Sequence, residues 1–150
     1  TDKQIGDFKH HYQTESQRFR ILPPGIYPDR KYSQQPENSR LIVREKNGIG
    51  LDQFLLLQVG SDFKRKGVPR TLQALASLPD VIRHRTRLMV VGQDKADRYR
   101  AQARQLGVEE QVQFFSGRDD VAELMSAADL LLHPAVQEAA GIVLLEAVVA

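Results

Sequence analysis

From about residue 50 onward, short apolar runs alternate with amphipathic stretches. Residues 54–59 (FLLLQV) form a nearly continuous apolar run that ends at Gly60, which is typical of a strand buried on both faces. Later runs end in the same way, at Gly92, Gly117 and Pro134. The predicted strands are 54–59, 88–91, 112–115 and 129–133.

The stretches between these runs have helical periodicity. Pro69 occupies a tolerated first-turn position, and apolar residues at helical spacing follow it until Pro79. Gly107 ends a charged helix, and Asp119 and Asp120 can cap the next one. The predicted helical segments are 68–78, a short amphipathic turn at 80–84, 94–106, a helix that runs to about 127, and 141–150.

Strands that alternate with helices in this way predict an α/β fold, a doubly wound parallel sheet of the Rossmann-like type. Ligands of such sheets bind beyond the carboxyl ends of the strands. The loops that begin at Gly60, Gly92 and Gly117, together with residues 134–141, should therefore form one rim. Any functional site is expected on that rim.

Residues 1–38 have a different pattern and are interpreted as the tail of an N-terminal domain plus a linker. Ile5 and Phe8 should face inward on a short helix, and residues 19–22 resemble the end of a strand. Residues 27–38 are rich in Pro, Ser, Gln and charge, which is typical of a surface connector.

The second predicted unit, residues 39–150, begins with a helix at 39–46. Residues 142–149 are apolar on nearly every side, which predicts a buried helix. No C-cap glycine or basic last turn precedes Ala150. We therefore interpret this domain as incomplete at its C-terminus and the chain as a fragment, whose sheet should keep an unpaired edge.

The composition is that of a folded, water-soluble protein. Of 150 residues, 41% are apolar and 27% are charged, close to globular averages. The absence of cysteine excludes a disulfide framework and a thiolate zinc site. An excess of two basic over acidic residues (21 − 19) does not indicate nucleic-acid binding. No apolar run approaches the roughly 20 residues that span a bilayer.

The loop at 60–67 is the first candidate site. Its Lys64-Arg65-Lys66 run lies between two glycines and next to a predicted helix start, a setting that favours a phosphate or diphosphate. The loop lacks the spacing of a P-loop and of the dinucleotide-binding fingerprint. The alternative is a solvated basic turn.

The second candidate is the segment from Glu138 to Glu146. Ala140, Gly141 and Ile142 offer N–H groups at a helix start, where the helix dipole also favours an anion. A carboxylate at Glu146 within an apolar helix needs a partner. A hydroxyl-rich ligand such as a ribose would supply one, and an arginine elsewhere in the fold is the alternative.

Smaller rim elements complete the set. Asp94, Gly117 and Arg118 follow the second and third strands and could hold a planar base, although each is also an ordinary strand-ending turn. His133 is interpreted as a core histidine. No carboxylate cluster suggests a divalent metal.

A basic group lies at the opposite end of the predicted sheet. This group comprises Arg83, His84, Arg85 and Arg87. It is compatible with anionic lipid headgroups or with a solvated turn.

These segments together resemble the donor-binding domain of retaining glycosyltransferases of family 4, which have the two-domain GT-B fold. The resemblance rests on Val59-Gly60 before a basic loop, Val90-Val91-Gly92, Phe114-Phe115-Ser116-Gly117, His133-Pro134, and Glu138 followed by Glu146. It is closer still to the glucosyltransferases of lipopolysaccharide core assembly in enteric bacteria, and it covers essentially the whole chain.

The resemblance implies transfer of glucose from UDP-glucose to an inner-core heptose of lipopolysaccharide, with retention of configuration. It places the parent enzyme on the cytoplasmic face of the bacterial inner membrane, as a peripheral protein. The acceptor would bind the N-terminal domain, and the fragment would supply the donor site and be inactive alone. No cofactor and no metal are implied.

Residue roles also follow from the resemblance. Arg65 and Lys66 would hold the diphosphate in place of a metal ion, and Glu138 would contact glucose hydroxyls near the reacting carbon. These residues form the predicted catalytic set. The predicted donor-binding residues are Arg30, Gly60, Asp94, Gly117, Arg118, Ala140, Gly141, Ile142 and Glu146. The chain departs from many relatives at Ser61, where they carry arginine.

Two alternatives remain open. A UDP-sugar epimerase of the same fold would need the same donor site and no acceptor. In a non-catalytic phosphate-binding module, Glu138 and Glu146 would only anchor structure. A glycosidase is disfavoured because nothing supplies a general-acid environment for either glutamate.

Overall fold

The computed structural model describes residues 2–26, 39–138 and 140–150. The predicted surface connector at 27–38, which contains Arg30, lies outside the described residues. Single turns of 3₁₀ helix occur at Ser16–Arg18 and Glu109–Gln111. The helices and strands are, in chain order, α1 (Asp2–Tyr12), α2 (Ser39–Lys46), β1 (Phe54–Val59), α3 (Val68–Ala76), α4 (Asp80–Arg83), β2 (Thr86–Val91), α5 (Asp97–Gln105), β3 (Val112–Phe115), α6 (Val121–Ala127), β4 (Leu130–Leu131) and α7 (Ile142–Val149).

The strands form one parallel sheet in the order β3-β2-β1-β4. Leu56 of β1 is in register with Leu88 of β2 on one side and with Leu130 of β4 on the other. After β3 the chain therefore crosses to the far side of β1, so the strand order reverses between β1 and β4. The predicted doubly wound α/β fold is confirmed, and this reversal is the point where such sheets bind ligands.

Successive side chains of β2 point to opposite faces of the sheet, and they belong to two separate clusters of the hydrophobic core. Met89 and Val91 pack on the face covered by α2 and α6. Leu88 and Val90 pack on the opposite face, against α3 and α5. Because both faces are covered, nearly every residue of the inner strands is apolar, which is why β1 was identifiable as a continuous run.

Arg44 and Asp129 connect α2 to the sheet. The Arg44 side chain is 4% exposed and lies 3.3 Å from Asp129 Oδ2, which also accepts a 2.7 Å hydrogen bond from the Leu55 N–H. Arg40 contacts the other carboxylate oxygen at 2.5 Å. Burial raises the pKa of Asp129, but the Leu55 N–H and the two arginines outweigh it, so this pKa lies below its ordinary value.

Several predicted bounds differ from the observed ones. The strand predicted at 88–91 begins at Thr86, and the helix predicted at 94–106 begins at Asp97. The strand predicted at 129–133 pairs only over Leu130–Leu131. The predicted strand end at 19–22 is wrong, because these residues have no regular structure.

The predicted burial of two helices is also wrong. Phe8 of α1 is 52% exposed, and its ring contacts those of Tyr12 and Phe19 in tilted and edge-on arrangements. Val148 of α7 is 84% exposed, and α7 has no buried residue. Within the described residues α7 packs mainly along α6, so its remaining sides face solvent. β4 is the last strand of the described sheet on that side, which confirms the unpaired edge.

Candidate functional site

A cavity of about 230 Å³ lies where the strand order reverses, between the end of β1 and the start of α7. It brings together charged side chains from the loop after β1 and from the loop and helix after β4. Its lining residues are Val59, Gly60, Lys66, Glu138, Ala140, Gly141, Ile142, Val143 and Glu146. All of these except Val59 and Val143 were predicted site residues.

Lys66 and Glu138 form an ion pair in this cavity. Lys66 Nζ lies 2.5 Å from Glu138 Oε2, and the two side chains are 13% and 27% exposed. The Nε2 atom of His133 lies 2.9 Å from the same oxygen. The backbone N–H of Gly141 contacts the other carboxylate oxygen at 3.3 Å. Glu138 is therefore held at the meeting point of the two rim loops.

Arg65 joins the same two loops from outside the cavity. Its guanidinium donates to the carbonyl of Gln137 at 3.0 Å and to Asp62 Oδ2 at 3.1 Å. The Arg65 carbonyl accepts a 2.9 Å hydrogen bond from the Val136 N–H. The backbone N–H and then the side chain of Arg65 hold the pKa of Asp62 below its ordinary value. Arg65 thus lies next to the cavity but is not among its lining residues.

Gly67 allows the loops to approach closely. It directly precedes α3 and has a φ of +82°, and a Cβ added there would lie 2.1 Å from the carbonyl oxygen of Pro134. The Arg70 guanidinium donates to the same carbonyl. A side chain at position 67 would therefore push the two halves of the rim apart.

The amino end of α7 closes the cavity on the other side. Gly141 has a φ of +62° and accepts the Leu144 N–H at 2.9 Å. First-turn N–H groups of a helix lack intrahelical partners, and Ile142 and Val143, the first two residues of α7, line the cavity. This arrangement suits an anionic or hydroxylated ligand.

Glu146 lies one turn further along α7 and is half-buried. Within residues 2–26, 39–138 and 140–150, no ion pair or hydrogen bond joins its carboxylate to another side chain. The alternative in which an arginine satisfies Glu146 is thus not observed in this part of the chain. Glu146 lines the cavity instead.

The remaining predicted rim residues lie outside this cavity. Asp94 accepts the Asp62 N–H at 2.5 Å and so connects the loops after β1 and β2. Gly117 lies beside the Gln93 side chain. Arg118 forms a bidentate ion pair with Asp120, in which Nε donates to Oδ1 at 2.7 Å and Nη2 donates to Oδ2 at 2.6 Å. That contact raises the pKa of Arg118 and lowers that of Asp120.

Three larger cavities of the described residues lie away from the reversal point. One, of about 560 Å³, contains Arg118 and runs along the outer edge of β3. Another, of about 810 Å³, is mostly apolar and is lined by residues of β1, α3 and β4 such as Leu56, Leu75 and Leu130. The third, of about 430 Å³, lies between α1 and residues 19–22. The cavity at the reversal point is the candidate site because cationic, anionic and N–H groups from separate loops converge there.

The described residues contain no group of three or more His, Asp or Glu side chains arranged to hold a metal ion. Arg83 of the basic group pairs with Asp80. Its guanidinium also donates to the carbonyl of Ala76, the last residue of α3. In the part of the chain that the structure describes, no helix is long and apolar enough to cross a membrane.

Comparison with known families agrees with this geometry. Residues 39–150 match the family described as "Glycosyl transferases group 1". The chain belongs to the group 1 glycosyl transferases. The match includes both loops that line the cavity.

Individual relatives extend the comparison. The chain is 70% identical to the lipopolysaccharide glucosyltransferase WaaG of Escherichia coli K12 over all of its own length, which is 40% of that protein. It is 30% identical to a D-inositol 3-phosphate glycosyltransferase of Corynebacterium glutamicum, over 98% of the chain and 37% of that protein. The chain thus spans about 40% of the length of the curated relatives it matches.

Two solved structures show the same fold. A crystal structure of WaaG superposes with a TM-score of 0.94 at 70% identity, covering 99% of this chain and 40% of that one. The Anabaena protein HepE, solved in complex with UDP-glucose, superposes with a TM-score of 0.67 at 25% identity, covering 77% of this chain and 32% of that one. The predicted GT-B type fold is confirmed.

Proposed function

We propose that this chain forms the nucleotide-sugar site of a retaining glucosyltransferase that moves glucose from UDP-glucose to an inner-core heptose of lipopolysaccharide. The convergence of Lys66, Glu138, Glu146 and the start of α7 in one cavity carries the proposal. The 70% identity to WaaG supports the choice of glucose and of lipopolysaccharide. Two relatives named as glycosyltransferases favour transfer over epimerisation.

The charges of the cavity suit a nucleotide sugar. Lys66 supplies a cation for the diphosphate, and fixed positive charge is most effective where negative charge develops on the leaving group. Glu138 accepts hydrogen bonds from sugar hydroxyls, and Glu146 accepts them from the ribose diol. A volume of about 230 Å³ is below the roughly 300–1,000 Å³ of most small-molecule sites, so the cavity accommodates part of the donor.

Metal-independent binding is part of the proposal. Lys66 and Arg65 take the role that a divalent ion has in other nucleotide-sugar enzymes, as cations next to the diphosphate. For Arg65 this requires its guanidinium to leave the Gln137 carbonyl, which is 3.0 Å away. Arg118, Asp94, Gly117 and Arg30 remain proposed contacts of the uracil and the phosphates.

Association with the inner face of the bacterial inner membrane is also proposed. The basic group at Arg83, His84, Arg85 and Arg87 adjoins Val81, which is 78% exposed, and cations beside exposed apolar residues suit an anionic lipid surface. The acceptor would bind a domain beyond this chain. Sedimentation of the chain with anionic and with neutral vesicles tests this membrane association. Equal binding to both kinds of vesicle would contradict it.

Calorimetric titration with UDP and UDP-glucose, in magnesium and in chelator, tests the donor site. We expect binding of both ligands in both buffers, and loss of binding in the double variant Arg65→Ala/Lys66→Ala. The matched control Arg98→Ala/Lys95→Ala changes exposed residues away from the cavity and should bind normally. Absence of UDP binding to the folded chain would contradict the proposal, and binding only with magnesium would contradict its metal-independent part.

A further inference from the structure

Two hydrogen bonds join the loop after β1 to the loop after β2. The Asp62 N–H donates to Asp94 Oδ2 at 2.5 Å, and the Gln93 N–H donates to the Ser61 hydroxyl oxygen at 3.1 Å. Each bond connects residues that are 32 positions apart in the sequence. The loop that carries the Lys64-Arg65-Lys66 run is therefore anchored at its start to the end of the neighbouring strand.

The backbone at Asp62 is in the left-handed region, with a φ of +62°. Residues other than glycine rarely adopt this conformation, and they keep it only where their surroundings fix it. The Asp94 carboxylate supplies such a constraint, because it accepts the N–H of Asp62. Without that acceptor, we expect Asp62 to return to a negative φ in a large fraction of the molecules.

Asp62 in turn fixes the basic run. Its carbonyl accepts the Lys66 N–H at 2.8 Å. Its carboxylate accepts the Arg65 N–H at 3.3 Å and Arg65 Nε at 3.1 Å. A change of φ at Asp62 would move these acceptors and break the bonds. The positions of both cations proposed for the diphosphate thus depend on the conformation of Asp62.

Asp94 is poorly suited to contact the phosphates itself. A carboxylate and a diphosphate are both anions and repel each other at short range. Its Oδ2 atom also already accepts the Asp62 N–H. Any favourable effect of Asp94 on phosphate binding is therefore indirect and acts through the loop.

We propose that Asp94 is a positioning residue, which fixes Asp62 in its left-handed conformation and thereby holds Arg65 and Lys66 in place for the diphosphate. The inference rests on the nucleotide-sugar site proposed above, and it gives Asp94 an indirect role in place of a direct contact with the donor. The apparent affinity of a ligand falls with the fraction of molecules whose loop has the binding conformation. Loss of the Asp94 acceptor should thus weaken recognition of the diphosphate and leave recognition of the nucleoside intact.

The test compares Asp94→Ala with Asp94→Asn in this chain. Alanine removes the acceptor, whereas asparagine keeps a carbonyl oxygen that accepts the Asp62 N–H. Calorimetry with UDP and ligand-observed NMR with uridine separate the diphosphate from the nucleoside. Asp97→Ala is the matched control, because it removes the same charge from a nearby side chain that is 91% exposed.

We expect Asp94→Ala to bind UDP about tenfold more weakly, the lower end of the scale for a lost hydrogen bond to a charged group, and to bind uridine within about twofold of the parent chain. Removal of a negative charge would by itself strengthen the binding of an anion, so a loss of UDP affinity separates positioning from long-range electrostatics. Asp94→Asn should recover most of the UDP affinity, and Asp97→Ala should bind UDP at least as well as the parent chain.

An equal loss for UDP and uridine would indicate a direct contact with the nucleoside and overturn the inference alone. Unchanged UDP binding in Asp94→Ala, or an equally large loss in Asp94→Asn, would also overturn it. Thermal unfolding checks the fold of each variant, and unfolding of Asp94→Ala would show a structural role instead. If the parent chain does not bind UDP, the proposed function fails, and the inference fails with it.

Discussion

Lys66 and Glu138 are 72 positions apart in the sequence, and their charged groups are 2.5 Å apart in the structure. The pair connects the loop after β1 to the loop after β4 across the reversal point of the sheet. It also sets up a competition, because the cation proposed for the diphosphate is paired with the carboxylate proposed for the sugar.

The competition predicts opposite effects on two ligands. Glu138→Gln releases Lys66, so UDP should bind about two- to threefold more tightly, while UDP-glucose loses the affinity that the sugar contributes. Parallel titrations with the two ligands measure the difference. Glu110→Gln is the control, since Glu110 is exposed and distant from the cavity. A parallel change in both affinities would contradict the assignment of Glu138 to the sugar.

Glu146 should affect binding and not folding. Because no described side chain pairs with its carboxylate, Glu146→Gln should move the midpoint of thermal unfolding by less than about 2 °C. UDP affinity should fall at least about tenfold, through the lost contact with the ribose. Glu45→Gln, at an exposed position of α2, is the matched control. A large loss of stability with unchanged UDP binding would favour the non-catalytic module.

Asp129 should stabilise the fold in a pH-dependent way. Its pKa in the folded chain is lowered, so its contribution is present above the ordinary carboxyl pKa and is lost as the pH falls through the lower, folded value. At pH 7, Asp129→Asn should lower the free energy of unfolding by about 1–3 kcal/mol. The difference from the parent chain should shrink below about pH 4.

Urea unfolding at pH 7, 5 and 3 measures the Asp129 effect. Asp97→Asn provides the control, because the Asp97 side chain is 91% exposed and its arginine neighbour is 3.9 Å away. An Asp129→Asn penalty that stays constant from pH 7 to pH 3 would contradict the electrostatic explanation.

Gly67→Ala should separate the two rim loops. Gly48 has a similar positive φ, +69°, but nothing lies within 4 Å of an added Cβ, so Gly48→Ala measures the backbone cost alone, about 1–2 kcal/mol. At Gly67 the added methyl also meets the Pro134 carbonyl, which should cost about 1–3 kcal/mol more. Denaturant unfolding of both variants gives the difference. Equal penalties would mean that the loops separate without cost.

The sequence predicted the elements whose signal is local. β1, β3 and α2 have the predicted bounds, because apolar runs between turn residues define them. The start of α5 was predicted three residues early, because Asp94 contacts the Asp62 N–H instead of entering the helix. The prediction that α7 is buried was wrong, since an apolar helix is buried only where other elements pack against it.

The site was predictable in its residue types and less so in its contacts. Lys66, Glu138 and Glu146 follow strands that parallel order brings to one rim, so their proximity follows from topology. The contact between His133 and Glu138 depends on the path of the loop between them, which no periodicity encodes. The available signal was His133, a polar residue that follows the apolar run 130–132 and precedes Glu138 by five positions.

The contacts that shape the cavity are almost all between distant parts of the sequence. Arg65 and Gln137 are 72 positions apart, and Arg70 and Pro134 are 64 apart. Closing such long loops costs chain entropy before any contact forms. During folding, the β1–β2–β3 part of the sheet can form from nearer neighbours, and the cavity can assemble only after β4 has returned to the side of β1. A ligand that binds the cavity therefore stabilises the state in which β4 lies beside β1.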